Sequence, residues 1–161
     1  MARLLSGGPG HTRAIARDLG SACRPGSVIA LEGGLGSGKT VFVQGLAKGL
    51  GIRRPEEVRS PTFALIQEHP GRLPLCHADL YRITAEEAED IGLSEYWRGA
   101  SAGDWVTAVE WADRAGRILP RRTLLVRLLR SSQRGREITF WGRGEWPRVL
   151  AGWKEKWIKK S

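Results

Sequence analysis

The stretch LEGGLGSGKT, residues 31–40, carries four glycines followed by a lysine and a threonine, and residues 33–40 fit the pattern G-x-x-x-x-G-K-[S/T]. Glycine lets a backbone turn tightly and point successive N–H groups at phosphate oxygens. A helix that follows presents its positive N-terminal end to the same anion. In this pattern Lys39 reaches the β- and γ-phosphates, and the Thr40 hydroxyl ligates Mg²⁺. The spacing therefore predicts a site for a nucleoside triphosphate with magnesium.

The residues predicted to hold the nucleotide in this loop are Gly33, Gly34, Leu35, Gly36, Ser37, Gly38, Lys39, Thr40 and Val41. An accidental glycine-rich turn is the alternative. The apolar strand predicted before the loop and the helix predicted after it argue against that alternative, because they are the context that the motif requires. Guanine-specific proteins of this type generally read the base with Asn-Lys-x-Asp, and this sequence has no asparagine. The prediction is therefore ATP.

Two acidic residues end apolar stretches further along the chain. Asp79 closes LPLCHAD, and Glu110 closes WVTAVE. Open parallel sheets place their ligands at the carboxyl ends of strands. Asp79 is predicted to hold Mg²⁺ through water, and Glu110 to orient the attacking water beside the metal. With the hydroxyl of Thr40 these two carboxylates form the predicted metal site, and Trp111 directly follows Glu110.

The elements that must position these side chains can be read from periodicity. Helices are predicted at residues 12–22, 40–51, 84–97 and 147–160, and strands at 27–31, 63–69, 73–81, 105–111, 122–129 and 137–142. Strands that alternate with helices indicate an α/β domain with a largely parallel sheet. We therefore expect a single P-loop NTPase-like domain over residues 1–161. It would be a three-layer sandwich whose central sheet is mostly parallel with an antiparallel portion.

Charge is distributed unevenly. Residues 1–114 carry 13 Lys/Arg and 14 Asp/Glu, whereas residues 115–161 carry 13 and 3, so the whole net charge of +9 lies in the last third. A segment from about residue 131 also carries several tryptophans. This asymmetry favours an anionic partner such as nucleic acid or an acidic protein surface. A basic face that only keeps the protein in solution is the alternative.

The sequence contains no apolar run near the roughly 18–20 residues that span a bilayer. Its first residues lack the apolar region of a secretory signal. Cys23 and Cys76 match no metal-ligand spacing and are expected to be small, buried, reduced thiols. These features predict a cytoplasmic protein with no membrane partner.

Four segments taken together carry a family resemblance: LEGGLGSGKT, VRSPTFALIQEH at 58–69, HADLYRI at 77–83, and VEWADRA at 109–115. Their order and spacing resemble the bacterial TsaE (YjeE) family of small P-loop ATPases. The resemblance implies ATP and Mg²⁺ as ligands and a Mg²⁺-dependent ATP hydrolysis that is weak alone. It also implies work with a TsaD-like threonylcarbamoyl transferase and its TsaB-like paralogue. That pair modifies adenosine 37 of tRNA, and direct contact of this chain with tRNA stays open.

The resemblance also implies roles for single residues. Asp79 matches the family's Walker B aspartate, and Glu110 with Trp111 matches its Glu-Trp pair, implicated in hydrolysis and nucleotide contact. Residues 60–63, SPTF, match its switch-like segment, in which the Thr62 hydroxyl would sense the γ-phosphate and Mg²⁺. The sequence departs from the family at Gly34, where an aspartate is usual, so a contact from that side chain is missing.

Two other functions are alternatives to a partner-dependent ATPase of tRNA modification. A small-molecule kinase needs an acceptor pocket and usually a basic lid over the phosphates. Residues 84–103 are acidic and hold Arg98 as their only basic residue, which argues against such a lid. A basic RNA-binding module, with nucleotide as a structural ligand, would instead show salt-dependent tRNA binding that is indifferent to loss of Lys39.

Overall fold

The computed structural model describes residues 1–98, 103–131 and 135–158, without the side chains of residues 154, 156 and 158. Its strands are β1 Ala2–Ser6, β2 Val28–Glu32, β3 Ile66–His69, β4 Leu75–Asp79, β5 Val106–Glu110, β6 Leu124–Arg130 and β7 Arg136–Gly142. Its α-helices are α1 Pro9–Ala22, α2 Lys39–Gly49, α3 Ala85–Asp90, α4 Glu95–Arg98 and α5 Trp146–Ile158. Short 3-10 turns lie at Pro55–Glu57, Ala112–Arg114 and Gly116–Ile118.

All seven strands form one sheet in the order β1-β7-β6-β2-β5-β4-β3. The four central strands, β6, β2, β5 and β4, run parallel to one another. Antiparallel pairing is confined to the two edges, where β7 joins β6 and β1 on one side and β3 joins β4 on the other. The predicted α/β class, with a parallel centre and an antiparallel portion, is confirmed.

Two apolar cores cover the two faces of the sheet. Helices α1, α2 and α5 pack on one face, against side chains such as Ile29 and Leu31 of β2. The short helices α3 and α4 pack on the other face, against Val28 and Ala30 of the same strand. Because neighbouring side chains of a strand point to opposite faces, a strand buried on both sides reads as apolar throughout. The three layers expected from the sequence are therefore present.

The terminal helix is part of the core. Trp146, Leu150, Trp153 and Trp157 of α5 are all buried in the same cluster as α1 and α2. Phe140 of β7 packs edge-on against Trp153, with ring centroids 4.8 Å apart. These tryptophans are thus packing residues. Residues 132–134 and 159–161 of the basic segment lie outside the described residues.

The structure differs from the predicted elements at three places. Strand β1 was not predicted, although ARLLS alternates buried and exposed side chains as a half-buried strand does. The helix predicted over 84–97 is broken into α3 and α4 around Gly92, which has a positive φ of 77°. The strand predicted from residue 63 starts at Ile66, because Leu65 has a left-handed φ of 64°. Residues 99–102 of the acidic segment lie outside the described residues.

Within the part of the chain that the structure describes, no helix has both the length and the apolar character needed to cross a membrane.

Candidate functional site

The glycine loop joins the central strand β2 to α2, as its motif requires. Gly33, Gly36 and Gly38 have positive φ values of 146°, 69° and 106°, which side-chain-bearing residues rarely adopt. Gly38 is the N-cap of α2 and has no side chain to cap it, and the first turn of this helix holds no acidic residue. The positive end of α2 is therefore left to interact with an anion from outside.

Lys39, the first residue of α2, folds back over the loop. Its Nζ donates to the carbonyl oxygens of Gly33 at 2.6 Å and Gly34 at 3.1 Å. The same ammonium lies 3.9 Å from the centre of the Trp111 ring, a cation–π distance. Burial lowers the pKa of Lys39 below its ordinary value, while the carboxylates of Glu110, Asp79 and Asp113 act in the opposite direction.

Asp79 and Glu110 stand opposite each other at the carboxyl ends of the neighbouring strands β4 and β5. Glu110 in turn pairs with Leu31 of β2, directly before the loop. Sheet pairing thus brings both carboxylates beside the glycine loop, as the strand-end argument predicted.

Glu110 is buried, with 2% of its surface exposed, and contacts side chains from two other elements. The hydroxyl of Thr40 donates to its Oε1 and Oε2 at 3.0 and 3.2 Å. Nε2 of the buried His77 lies 2.9 Å from Oε1. Because a carboxylate only accepts, this imidazole carries its hydrogen on Nε2. Glu110 therefore links the loop threonine to β4.

Asp79 is held by neighbours on both of its oxygens. Oδ1 accepts from the backbone N–H of Tyr81 at 2.9 Å, and Oδ2 accepts from the hydroxyl of Ser60. Ser60 belongs to the SPTF segment, so this bond connects that segment to the predicted metal carboxylate. The direction of the Asp79 side chain is thereby fixed by Ser60 on one oxygen and Tyr81 on the other.

The SPTF segment forms one wall of the site. Thr62 lines the cleft, and its hydroxyl donates to the carbonyl of Ser60 at 3.4 Å. Phe63 is 89% exposed, and the guanidinium of Arg82 lies 5.5 Å from the centre of its ring. Thr62 is thus near the predicted phosphate site, and its sensing role stays a prediction.

Trp111 directly follows β5 in a left-handed backbone conformation, with φ 56° and ψ 43°. Such a conformation costs a residue with a side chain about 1 kcal/mol or more and is concentrated at functional sites. The ring of Trp111 packs on Tyr81 with centroids 4.8 Å apart, on the side of the cleft facing Lys39. The strained turn therefore directs an aromatic pair to the site.

A cleft of about 420 Å³ opens between these elements. Its lining residues are Leu35, Gly36, Gly38, Lys39, Thr40, Val41, Ser60, Thr62, Asp79, Tyr81, Glu110, Trp111 and Arg136. Gly33, Gly34 and Ser37 were also predicted to bind nucleotide, and their carbonyl oxygens accept hydrogen bonds within the protein. Those of Gly33 and Gly34 accept from Lys39, and that of Ser37 accepts from Arg136.

Four residues of the site were missing from the predicted set. Ser60, His77 and Tyr81 lie inside the segments 58–69 and 77–83, which carry the family resemblance. Their closeness in sequence to Thr62 and Asp79 could have indicated that they belong to the site. Arg136 lies in the basic last third, and its sequence neighbourhood gave no signal for the site.

The oxygen donors present suit Mg²⁺. Among the described residues no three His, Cys, Asp or Glu side chains are grouped so that they could hold a metal ion by themselves. The magnesium of a phosphate site needs no such group, because it is held by one or two carboxylates together with phosphate and water oxygens. Asp79 and Glu110 supply such carboxylates, and Thr40 supplies a hydroxyl oxygen.

The fold is that of an α/β protein in which a glycine loop joins a central parallel strand to a helix and carboxylates end the next two strands of the sheet. The chain belongs to the TsaE family: the family described as "Threonylcarbamoyl adenosine biosynthesis protein TsaE" matches residues 8–138. The resemblance carried by the four sequence segments is therefore confirmed, and it reaches beyond them into β7.

Relatives named "tRNA threonylcarbamoyladenosine biosynthesis protein TsaE" match most of the chain. The protein of Bacillus subtilis is 46% identical over 133 residues, which are 82% of this chain and 80% of the relative. That of Treponema pallidum is 43% identical over 122 residues, 75% of this chain and 86% of the relative. The crystal structure of YdiB from Bacillus subtilis has a TM-score of 0.78 and 33% identity, covering 96% of this chain and 95% of that one.

Proposed function

We propose that this chain binds ATP with Mg²⁺ in the cleft and hydrolyses the ATP as the ATPase component of tRNA threonylcarbamoyladenosine modification. It would act with a TsaD-like transferase and a TsaB-like paralogue, and reach tRNA through that complex. The observation that carries the proposal is the hydrogen bond from the Thr40 hydroxyl to the Glu110 carboxylate, with Asp79 paired to Glu110 on the neighbouring strand. Membership of the TsaE family supports the tRNA pathway.

Phosphate binding is the task of the loop and Lys39. The first-turn N–H groups of α2 and the positive φ values of the glycines suit a cradle for phosphate oxygens. Lys39 exchanges its bonds to the Gly33 and Gly34 carbonyls for phosphate oxygens, which are charged and stronger acceptors. The negative charge of the phosphates also offsets the burial that lowers the pKa of this lysine.

Magnesium would be held by the Thr40 hydroxyl directly and by Asp79 through water. When bound, it neutralises charge that develops on the phosphate oxygens. The bond from Ser60 to Asp79 keeps that carboxylate pointed at the cleft. Through Ser60, the SPTF segment is also tied to the metal carboxylate, which supports a switch-like role for this segment.

Glu110 is the proposed residue that orients and deprotonates the attacking water. His77 donates to one of its oxygens, which keeps the carboxylate facing Thr40 and the cleft. Thr40 would offer its hydroxyl oxygen to magnesium, and the Glu110 carboxylate beside that hydroxyl would accept a hydrogen bond from the attacking water. Trp111 and Tyr81 offer aromatic surface beside Lys39 for the nucleotide base.

Phosphate release from ATP tests the proposal, measured for the chain alone and with the purified transferase pair. We expect weak hydrolysis alone, a clear rise with the pair, and none with Lys39→Ala. Full hydrolysis alone, or hydrolysis that the pair leaves unchanged, would separate the chain from the proposed complex. Transfer of phosphate to a small molecule in an acceptor screen would favour a kinase instead.

A further inference from the structure

We propose that Arg136 is a positioning residue of the phosphate loop, which it holds from outside through the loop's backbone carbonyls. The inference rests on the proposed function, because it concerns how the same loop binds nucleotide. Arg136 is the first residue of β7, far in sequence from the loop.

Two hydrogen bonds connect Arg136 to the loop. Its Nε donates to the carbonyl of Ser37 at 2.8 Å, and its Nη2 lies 3.4 Å from the carbonyl of Gly36. In a trans peptide the N–H of the next residue points opposite to the carbonyl. Holding the Ser37 carbonyl therefore fixes the direction of the Gly38 N–H, and Gly38 lines the cleft.

The guanidinium also packs closely on the loop. A Cβ atom built on Gly38 would lie 3.1 Å from Nε and 3.4 Å from Cδ of Arg136. The arginine thus lies against the backbone at the turn into α2, where the loop meets the helix. A planar guanidinium presents its donors in a fixed fork, so it can hold two successive carbonyls in one geometry.

A second arginine lies beside Arg136, so two positive charges are close together at the loop. Arg130 of β6 stands directly opposite Arg136 in the antiparallel pair, and its Nη2 lies 3.5 Å from the same Gly36 carbonyl. Like charges directly opposite each other destabilise a strand pair. The Gly36 carbonyl oxygen accepts from both guanidinium groups and so offsets part of the repulsion between the two arginines. Phosphate bound in the loop would offset more of it. Arg136 has the shorter bonds and lines the cleft, so we assign the positioning role to it.

The experiment compares Arg136→Gln and Arg136→Lys with the unchanged chain, and uses Arg143→Gln as control. Arg143 is exposed, directly follows the other end of β7, and its substitution by Gln changes the net charge equally. Three quantities are measured: the affinity for a fluorescent ADP analogue, KM and kcat for ATP with the transferase pair, and the thermal midpoint without nucleotide.

We expect Arg136→Gln to lower ADP affinity and to raise KM for ATP about tenfold, as loss of a charge-assisted hydrogen bond does. The value of kcat should change less than about threefold, since Arg136 acts on the loop and not on the reacting atoms. Lysine keeps the charge but not the fork, so Arg136→Lys should recover only part of the affinity. Arg143→Gln should behave as the unchanged chain.

Unchanged ADP affinity in Arg136→Gln would overturn the inference. Full recovery in Arg136→Lys would also overturn it, because charge alone would then suffice. A lower thermal midpoint with unchanged KM would assign Arg136 to stability only. If the unchanged chain binds ADP but never hydrolyses ATP, the proposed function fails while the ADP affinities still decide the role of Arg136. If it binds no ADP, both fail.

Discussion

Glu110 joins three elements through one carboxylate, because it ends β5 and accepts from Thr40 of α2 and from His77 of β4. Its replacement by glutamine keeps the size and one acceptor oxygen but removes the charge. We expect Glu110→Gln to slow ATP hydrolysis by about a hundredfold or more, which is the usual contribution of a positioned general base. Affinity for ADP should stay within about threefold. Steady-state phosphate release and ADP titration measure the two quantities.

Glu32 provides the matched control for that substitution. It also ends a central strand, β2, but its carboxylate accepts from Arg127 at 3.0 and 2.9 Å. Glu32→Gln removes the same charge and should leave hydrolysis near that of the unchanged chain. Equal rates for the two variants would move the water-orienting role to another residue.

The two cysteines test burial directly. Burial raises the pKa of the Cys23 thiol from an ordinary 9.0 to about 12, and it also raises the pKa of Cys76. Only the thiolate reacts rapidly with disulfide reagents. We expect neither cysteine to react with such a reagent at neutral pH in the folded protein, and both to react in urea. Rapid labelling of the folded chain would show that a thiol is accessible.

The same shift has a consequence for stability. A raised pKa in the folded state means that the folded chain keeps a proton which the unfolded chain releases. The stabilisation is complete below pH 9.0 and is lost as the pH rises from there towards about 12. The free energy of unfolding, measured by urea titration across that window, should therefore fall with increasing pH.

At the scale of elements, the loop between β2 and α2 contains two adjacent glycines with opposite requirements. A Cβ on Gly33 would lie 2.5 Å from the carbonyl oxygen of Leu128, and its φ is +146°. A Cβ on Gly34 would meet nothing within 4 Å. We expect Gly33→Ala to lower the free energy of unfolding by about 1–3 kcal/mol and to weaken ADP binding. Urea unfolding and ADP titration measure both effects.

Gly34→Ala is the control within the same loop. It should change stability by less than about 0.5 kcal/mol, as substitutions in open positions do. If the two alanine variants were equally destabilised, the loop conformation described for Gly33 would be wrong.

Much of the site could be predicted because its residues end elements that have clear patterns. The apolar strands ending at Asp79 and Glu110, and the glycine loop before α2, are local signals that place three parts of the site at one edge of a parallel sheet. The break of the acidic helix at Gly92 and the turn at Leu65 were less visible. Both depend on a single residue with positive φ inside an otherwise periodic stretch.

Arg136 could not be predicted because its role depends on the order of strands. It reaches the loop because β6 pairs with β2 and β7 pairs with β6. Nothing within a few residues of Arg136 indicates that order. The basic charge of the last third predicts a surface for an anionic partner, and within that segment Arg136 donates to a carbonyl oxygen of the glycine loop.

For the whole molecule, α5 is a structural element as well as part of the basic segment. Its buried tryptophans belong to the core that covers one face of the sheet. Truncation of one such side chain costs about 3–5 kcal/mol, and a domain has about 5–15 kcal/mol in total. We therefore expect deletion of residues 146–161 to abolish cooperative unfolding in urea. An unchanged midpoint would show that α5 does not contribute to the core.

Charge and packing in this segment need separate variants. Arg143 and Arg148 are exposed, so the double variant Arg143→Gln/Arg148→Gln should keep its unfolding midpoint. Binding of tRNA and of the transferase pair can then be measured in a folded chain with two fewer positive charges.

The register between β4 and β5 has a further consequence. Asp79 and Glu110 are paired across adjacent strands, so the distance between their backbones equals the interstrand spacing of the sheet, about 4.8 Å. The connection between the two strands does not enter into that distance. Within that connection Tyr81 holds Asp79, and α3 and α4 cover one face of the sheet, so changes of length are tolerated only outside these parts. The hydrogen-bonded pairing of β4 with β5 therefore keeps the backbones of these two residues at a constant distance.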